Sequence, residues 1–316
     1  MSPSIFIATH NADDYREILA EKLGAELEIA TVSDLEAVGK SYSSQPIVLA
    51  RPDFAAELFQ SNDQAATSAQ WLQSTWAGVK PLIALPHRGY QLTSVKDVFG
   101  PQMAEYILGY ILRHELIIEQ RDQSQTDKQW NDTSSNNLDN KTIGIMGTGS
   151  IGSYVARMAE GFGMTPIGYN ASGDYVEHFD DIYTADELCD FIMRSDYVVG
   201  ILPDVPETDG LIDADALGCF KESALLINVG RGNLIDEPAL CDALYTGCLA
   251  GAVLDVFRKE PLPKDSPLWS AKNCTITAHV AAVSKPEDIV EIFVQNYRRF
   301  CAGKHLRHLV DFDKGY

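Results

Sequence analysis

No apolar run in this chain of 316 residues approaches the roughly 18 that a membrane-spanning helix needs. The opening residues MSPSIFIA lack the basic stretch and long apolar core of a secretory signal and read as a first strand. A cytoplasmic protein with no membrane partner is therefore expected. Basic residues are scarce, 25 Lys and Arg against 45 Asp and Glu, for a formal net charge of −20. A surface of that sign repels polyanions and argues against a nucleic-acid partner, so any bound anion must be held by local groups. Cysteine is sparse and dispersed: Cys189, Cys219, Cys241, Cys248, Cys274 and Cys301 lie in apolar stretches without a C-x-x-C pair. Neither a disulfide scaffold nor a metal site is expected, and the thiols are expected to be reduced. Internal repeats are absent, and the one markedly polar tract is Arg121 to Asn140, which reads as an exposed arm or connection with Trp130 as its one aromatic anchor.

What is present is an ordinary globular composition, 45% hydrophobic and 22% charged. The length predicts about two domains at roughly 150 residues each. Short apolar runs at Ile5 to Ala8, Ile47 to Ala50 and Pro81 to Leu85 alternate with helical patterns such as Ala12 to Leu23. Apolar residues at helical spacing predict one long helix from Pro101 to about Gln120. A second series of strand-like runs follows at Thr142 to Met146, Thr165 to Tyr169, Tyr197 to Leu202, Leu225 to Val229, Ala250 to Val256 and Thr275 to Ala278, with helical stretches between them. Repeated strand and helix with buried-type strands predicts doubly wound parallel sheets of the α/β class.

Directly after Thr142 to Met146 stand Gly147, Thr148, Gly149, Ser150, Ile151 and Gly152, a G-x-G-x-x-G that opens a helix. The first glycine permits a tight turn, the second lets the backbone approach a pyrophosphate, and the third lets helix and strand pack closely. The anion would rest on free N–H groups at the positive end of the helix. The next strand ends at Asn170, where an NAD site usually places an acid for the ribose 2′-hydroxyl. A neutral end, with Asn170 and Ser172 as donors, favours NADP(H), although no Arg or Lys lies in this loop and NAD(H) stays open. Three further strand ends carry Arg231, Glu260 and His279. A guanidinium offers a fixed fork for a carboxylate or polarised carbonyl. An imidazole can exchange the proton that accompanies a hydride, and a carboxylate beside it would orient the ring and favour its charged form.

Together these motifs resemble the D-isomer-specific 2-hydroxyacid dehydrogenase family, particularly its glyoxylate/hydroxypyruvate reductase-like members. The resemblance rests on Gly147 to Gly152, Leu202 to Thr208 (LPDVPET), Asn228 to Asp236 (NVGRGNLID), Asp255 to Phe257 (DVF) with Glu260, and His279. Upstream, Trp71 to Val79 (WLQSTWAGV) and Phe99 to Tyr106 (FGPQMAEY) are similar to the family's substrate-loop and hinge-helix segments. The family commonly has Pro before its catalytic His, where Ala278 stands here.

The resemblance implies a Rossmann-type cofactor domain, residues 103–283, inserted in a flavodoxin-like substrate domain, residues 1–102 and 284–316. It implies that Arg231 holds the substrate carboxylate and keto oxygen, that His279 is the general acid, and that Glu260 is its partner. Backbone amides of Ala77, Gly78 and Val79 would bind the carboxylate. Trp76 would trim the substrate side chain or serve a contact or core role, and Met103 would lie near the reacting carbons or simply pack on its helix. Leu202, Pro203, Val229 and Asp255 would border the nicotinamide. The implied activity is NAD(P)H-dependent reduction of a small 2-keto acid to the D-2-hydroxy acid by a homodimer. A cofactor-sensing regulatory protein of the same fold and a dehydrogenase of phosphorylated hydroxyacids are the alternatives, the latter with Arg51, His87 and Arg88 as its only candidate loop cations.

Overall fold

Short strands, the central ones fully buried, build two parallel sheets in a computed structural model that describes residues 3–315. In chain order the first elements are β1 (Ile5–Ala8), α1 (Ala12–Leu23), β2 (Ile29–Val32), α2 (Val38–Ser41), β3 (Ile47–Ala50), α3 (Pro52–Ser61), α4 (Asp63–Ser68), β4 (Trp71–Ser74), α5 (Lys80–Ile83) and β5 (Gln91–Thr93). There follow α6 (Gly100–Glu115), α7 (Ile118–Thr126), β6 (Thr142–Met146), α8 (Ser150–Glu160), β7 (Thr165–Tyr169), β8 (Ile182–Tyr183), α9 (Leu188–Arg194) and β9 (Tyr197–Gly200). The chain ends with α10 (Ala214–Leu217), β10 (Leu225–Asn228), α11 (Glu237–Thr246), β11 (Gly251–Leu254), β12 (Cys274–Ile276) and α12 (Pro286–Cys301). Among the described residues, no helix is long and apolar enough to cross a membrane.

Contacts divide the chain into two units, Met1–Val98 with Ser284–Tyr316, and Phe99–Val283. The first holds a sheet ordered β2-β1-β3-β4-β5, all parallel. That is the flavodoxin-like order. The amphipathic α12 packs on α1 and buries Ile289, Val290, Phe293, Val294 and Tyr297. Trp71 of β4 is fully buried, its ring stacked on Phe293 at 4.8 Å and on Phe300 at 5.7 Å, and its Nε1–H donates to Thr93 Oγ1 at 2.8 Å. One side chain thus joins the C-terminal helix to the N-terminal sheet.

The second unit holds a sheet ordered β12-β11-β10-β9-β6-β7-β8. Read from β8, this is the Rossmann strand order with a seventh strand added at β12, and the order reverses between β6 and β9. The fold class expected from the sequence is the one observed.

Three expectations need correction. Pro81 to Leu85 is not a strand; Pro81 lies in the first turn of α5, where its missing N–H costs nothing. The long helix is interrupted after Leu116 by Ile117, whose φ of 47° is left-handed, and resumes as α7. Nor are all thiols free: Cys189 and Cys219, with Cα atoms 5.6 Å apart, form a disulfide between the start of α9 and the turn after α10. The sheet brings together two positions 30 residues apart, a proximity their spacing did not reveal. Cys241, Cys248, Cys274 and Cys301 remain thiols. The stretch after α7 has no regular secondary structure, and Trp130 is 97% exposed.

Replacing Trp71 by Ala removes both ring stacks and the Thr93 hydrogen bond, and is expected to lower unfolding free energy by about 3–5 kcal/mol, read from the urea midpoint.

Candidate active site

The glycine turn occupies the switch between β6 and β9. Gly147 has φ 110°, a backbone that disfavours side chains, and a Cβ there would meet Ile201 O at 3.2 Å. A Cβ on Gly152 would lie 2.0 Å from Gly147 O, so close packing of helix on turn demands glycine. A Cβ on Gly149 meets nothing within 4 Å, leaving open space beside the first turn of α8. No side chain caps α8, so its first N–H groups face that space. This cradle fits a dinucleotide pyrophosphate. Ile201, Leu202 and Pro203 follow β9, half-buried, across from Gly147.

At the end of β7 the Asn170 side chain organises its own loop. Its Oδ1 accepts from Ser172 N–H at 3.1 Å and Gly173 N–H at 2.7 Å, while Nδ2 donates to Thr148 Oγ1 at 2.9 Å. Ser172 Oγ in turn accepts from Asp174 N–H at 3.2 Å. Asn170 therefore ties this loop to the glycine turn, and its amide donor is already engaged.

Arg231, Glu260 and His279 are brought together in the second unit although they stand on loops after β10, β11 and β12. Buried Asn228 shapes the arginine turn, its Nδ2 donating to Arg231 O at 3.0 Å and its Oδ1 accepting from Gly230 N–H at 3.2 Å. Sequence reading passed over this role, although an Asn at a strand end before glycine is its signal. Burial pulls the Arg231 pKa down, while the charges of Glu260 and Asp204 hold it up. Glu260 Oε2 lies 2.8 Å from His279 Nδ1, and its Oε1 accepts from Phe257 N–H at 3.0 Å. The imidazole is thus oriented through Nδ1, leaving Nε2 for proton exchange.

His279 itself is left-handed, φ 56°. Asp255, 1% exposed, encloses it: its backbone O accepts from His279 N–H at 2.8 Å, Oδ1 accepts from Thr277 Oγ1–H and from Val280 N–H at 2.9 Å, and Oδ2 accepts from Ala281 N–H at 2.9 Å. Its carboxylate is engaged with the histidine loop. Val229 is buried beside this strand end, and Met103 on α6 packs against the core of the unit.

The first unit carries the remaining expected residues on the loop after β4. Ser74 Oγ fixes the turn, accepting from Trp76 N–H at 3.0 Å and donating to Trp76 O at 2.8 Å. Ala77 is exposed, Gly78 half-buried, and Val79 buried at the start of α5. Trp76 is 40% exposed, with the Arg51 guanidinium 4.7 Å from its ring centre. Asp53 holds that guanidinium at 3.0 and 2.7 Å. Arg51 is therefore paired and stacked. His87 touches the Phe59 and Tyr90 rings, and Arg88 pairs with Asp313.

A profile of the D-isomer specific 2-hydroxyacid dehydrogenase, NAD binding domain, matches residues 108–281. The chain belongs to the D-isomer-specific 2-hydroxyacid dehydrogenase family, whose members are oxidoreductases. Over 240 residues it is 32% identical to the glyoxylate/hydroxypyruvate reductase A of Yersinia enterocolitica, covering 76% of this chain and 74% of that protein. The crystal structure of a family protein from Aeromonas salmonicida is 36% identical, with a TM-score of 0.92 over 99% of this chain and 100% of the other. An NADPH-dependent glyoxylate/hydroxypyruvate reductase from Sinorhizobium meliloti, solved with NADP and sulfate, is 27% identical with a TM-score of 0.86 over 99% of this chain and all of that one.

The two glycines separate binding from folding. Gly149→Ala should leave the melting temperature within a few degrees and weaken dinucleotide binding about tenfold or more by titration calorimetry, whereas Gly152→Ala should lower the melting temperature itself.

Proposed function

We propose that this enzyme uses NADPH to reduce a small 2-keto acid, of the glyoxylate, hydroxypyruvate or pyruvate kind, to its D-2-hydroxy acid. The observation that carries the reading is the convergence of Arg231, Glu260 and His279 from three strand ends of a dinucleotide-binding sheet. The relatives supply the substrate class, since the Yersinia and Sinorhizobium proteins are named for glyoxylate and hydroxypyruvate. NADP accompanies the Sinorhizobium structure, and NADPH a Xanthobacter autotrophicus family structure 27% identical to this chain. The uncharged Asn170 supports the same cofactor, because the strand end itself carries no carboxylate to oppose a 2′-phosphate.

Gly147 to Gly152 and the first N–H groups of α8 would hold the pyrophosphate, with Leu202, Pro203 and Val229 bordering the nicotinamide. When bound, the reduced cofactor supplies the hydride for the carbonyl carbon. Arg231, half-buried and charged, stabilises the negative charge that develops on the carbonyl oxygen and steadies the carboxylate. His279 delivers a proton from Nε2 to that oxygen, and Glu260 holds the ring and offsets the imidazolium charge through Nδ1. The enzyme works as a cytoplasmic homodimer in this reading, with the fully exposed Trp130 as one of its contacts.

Nicotinamide absorbance, followed with NADPH and with NADH against glyoxylate, hydroxypyruvate, pyruvate and phenylpyruvate, tests the assignment. Turnover should be faster with NADPH and with the smaller acids. Arg231→Ala should lower kcat/KM by roughly 10²–10³-fold and His279→Ala should lower kcat by roughly 10²–10⁴-fold. Cofactor binding without turnover of any 2-keto acid would replace the reductase by the sensing reading. Sedimentation velocity checks the assembly: a dimer is expected, weakened by Trp130→Ala.

A further inference from the structure

The clamp around His279 extends to a residue that the proposed chemistry does not use. Tyr106, on the second turn of α6, places its hydroxyl 2.6 Å from Thr277 Oγ1, and Thr277 in turn bonds Asp255 Oδ1. The direction of this chain follows from its last member. A carboxylate accepts only, so Thr277 donates to Asp255; its one proton is then used, and Tyr106 must donate to Thr277. Burial pushes the Tyr106 phenol well above its usual range, which keeps it a donor at working pH.

We infer that Tyr106 and Thr277 are positioning residues for His279, holding the histidine loop in its left-handed form through the Asp255 carboxylate without touching the substrate. The inference rests on the reading of His279 as the general acid. Its physical basis is the cost of the backbone at that position: a non-glycine residue at positive φ persists only where its surroundings over-determine it. Here the restraints come from both sides. His279 N–H is tied to Asp255 O, and the two following N–H groups, of Val280 and Ala281, are tied to the two carboxylate oxygens. The carboxylate can hold those two amides in register only if it is itself fixed, and the Thr277 hydroxyl is the side-chain donor that fixes it. Donation to Asp255 orients the Thr277 hydroxyl, and a second hydrogen bond accepted by the same oxygen holds it from the other side. Tyr106, anchored on a helix rather than a loop, fills it. Arg113, two turns further along α6, donates to Thr275 Oγ1 at 3.4 Å, so the helix meets the β12 segment at two points.

Tyr106→Phe removes one oxygen and keeps the ring. It should lower kcat about tenfold, the scale expected when a catalytic group loses its aligned position. KM for the keto acid and the NADPH dissociation constant should stay within about twofold, a split that simple loss of fold would not give. Thr277→Val should act alike and Thr277→Ser should restore activity. The Tyr106→Phe/Thr277→Val pair should fall no further than either single change, because the two act as one unit. Hydrogen exchange of the protein alone, over a peptide spanning residues 278–283, should quicken in Tyr106→Phe. Unchanged kcat, additive losses or unchanged exchange would each overturn the relay. Should the wild-type enzyme reduce no 2-keto acid, the reductase reading falls by itself; faster exchange in Tyr106→Phe would then still support the hold on this loop, and unaltered exchange would refute it.

Discussion

A carboxylate almost without solvent contact, that of Asp255, governs the chemistry-bearing loop after β12. An isolated buried charge is costly, and here it is compensated by a hydroxyl and two backbone amides from one short segment. Three donors over residues 277–281 leave that segment little freedom, and His279 is held at a φ it would not choose alone. Glu260 then needs to orient only the imidazole plane. Backbone and side chain of the histidine are thus fixed by different acids, Asp255 on β11's exit and Glu260 in the loop beyond it.

The electrostatics of the whole chain and of the site point in opposite directions. A protein of net charge −20 repels the acids its relatives reduce. Exposed charge is screened within about 10 Å at ordinary ionic strength, however, whereas a partly buried guanidinium is screened much less. Arg231 concentrates positive charge in a half-buried turn, and Glu260 and Asp204 favour its charged form against the burial that opposes it. In the first unit Arg51 is treated differently: Asp53 neutralises it and Trp76 covers its face, so its place is beside the ring. Two arginines that follow strands therefore differ in kind, one set in a turn shaped by Asn228 and one paired with Asp53 and stacked on an indole.

Each unit is closed by residues distant in sequence. In the first, Trp71 ties β4 to α12 across more than two hundred positions, which makes the C-terminal helix part of the N-terminal core. In the second, the disulfide between Cys189 and Cys219 ties α9 to the turn beyond α10, on the side of the sheet that carries Phe191, Leu217 and Phe220.

The sequence by itself determined the elements whose hydrophobic pattern is strong and whose ends are marked: the strands Thr142–Met146 and Thr165–Tyr169, the helix Pro286–Cys301 with proline at its start, and the glycine turn before α8. It also marked Arg231, Glu260 and His279, because charged residues at successive strand ends of a parallel sheet converge at one edge. Tertiary structure decided what depends on partners rather than on pattern. Short strands such as β2 and β8 exist because a neighbour pairs with them, and Ile117 breaks the long helix with no glycine or proline to announce it. A carboxylate read as a cofactor neighbour is engaged by amides 25 and 26 positions away, and a tyrosine read as one turn of a helix donates to a threonine 171 positions distant. Hydrogen bonds of that span leave no period in the chain, since direction and distance are set only when the sheet has formed.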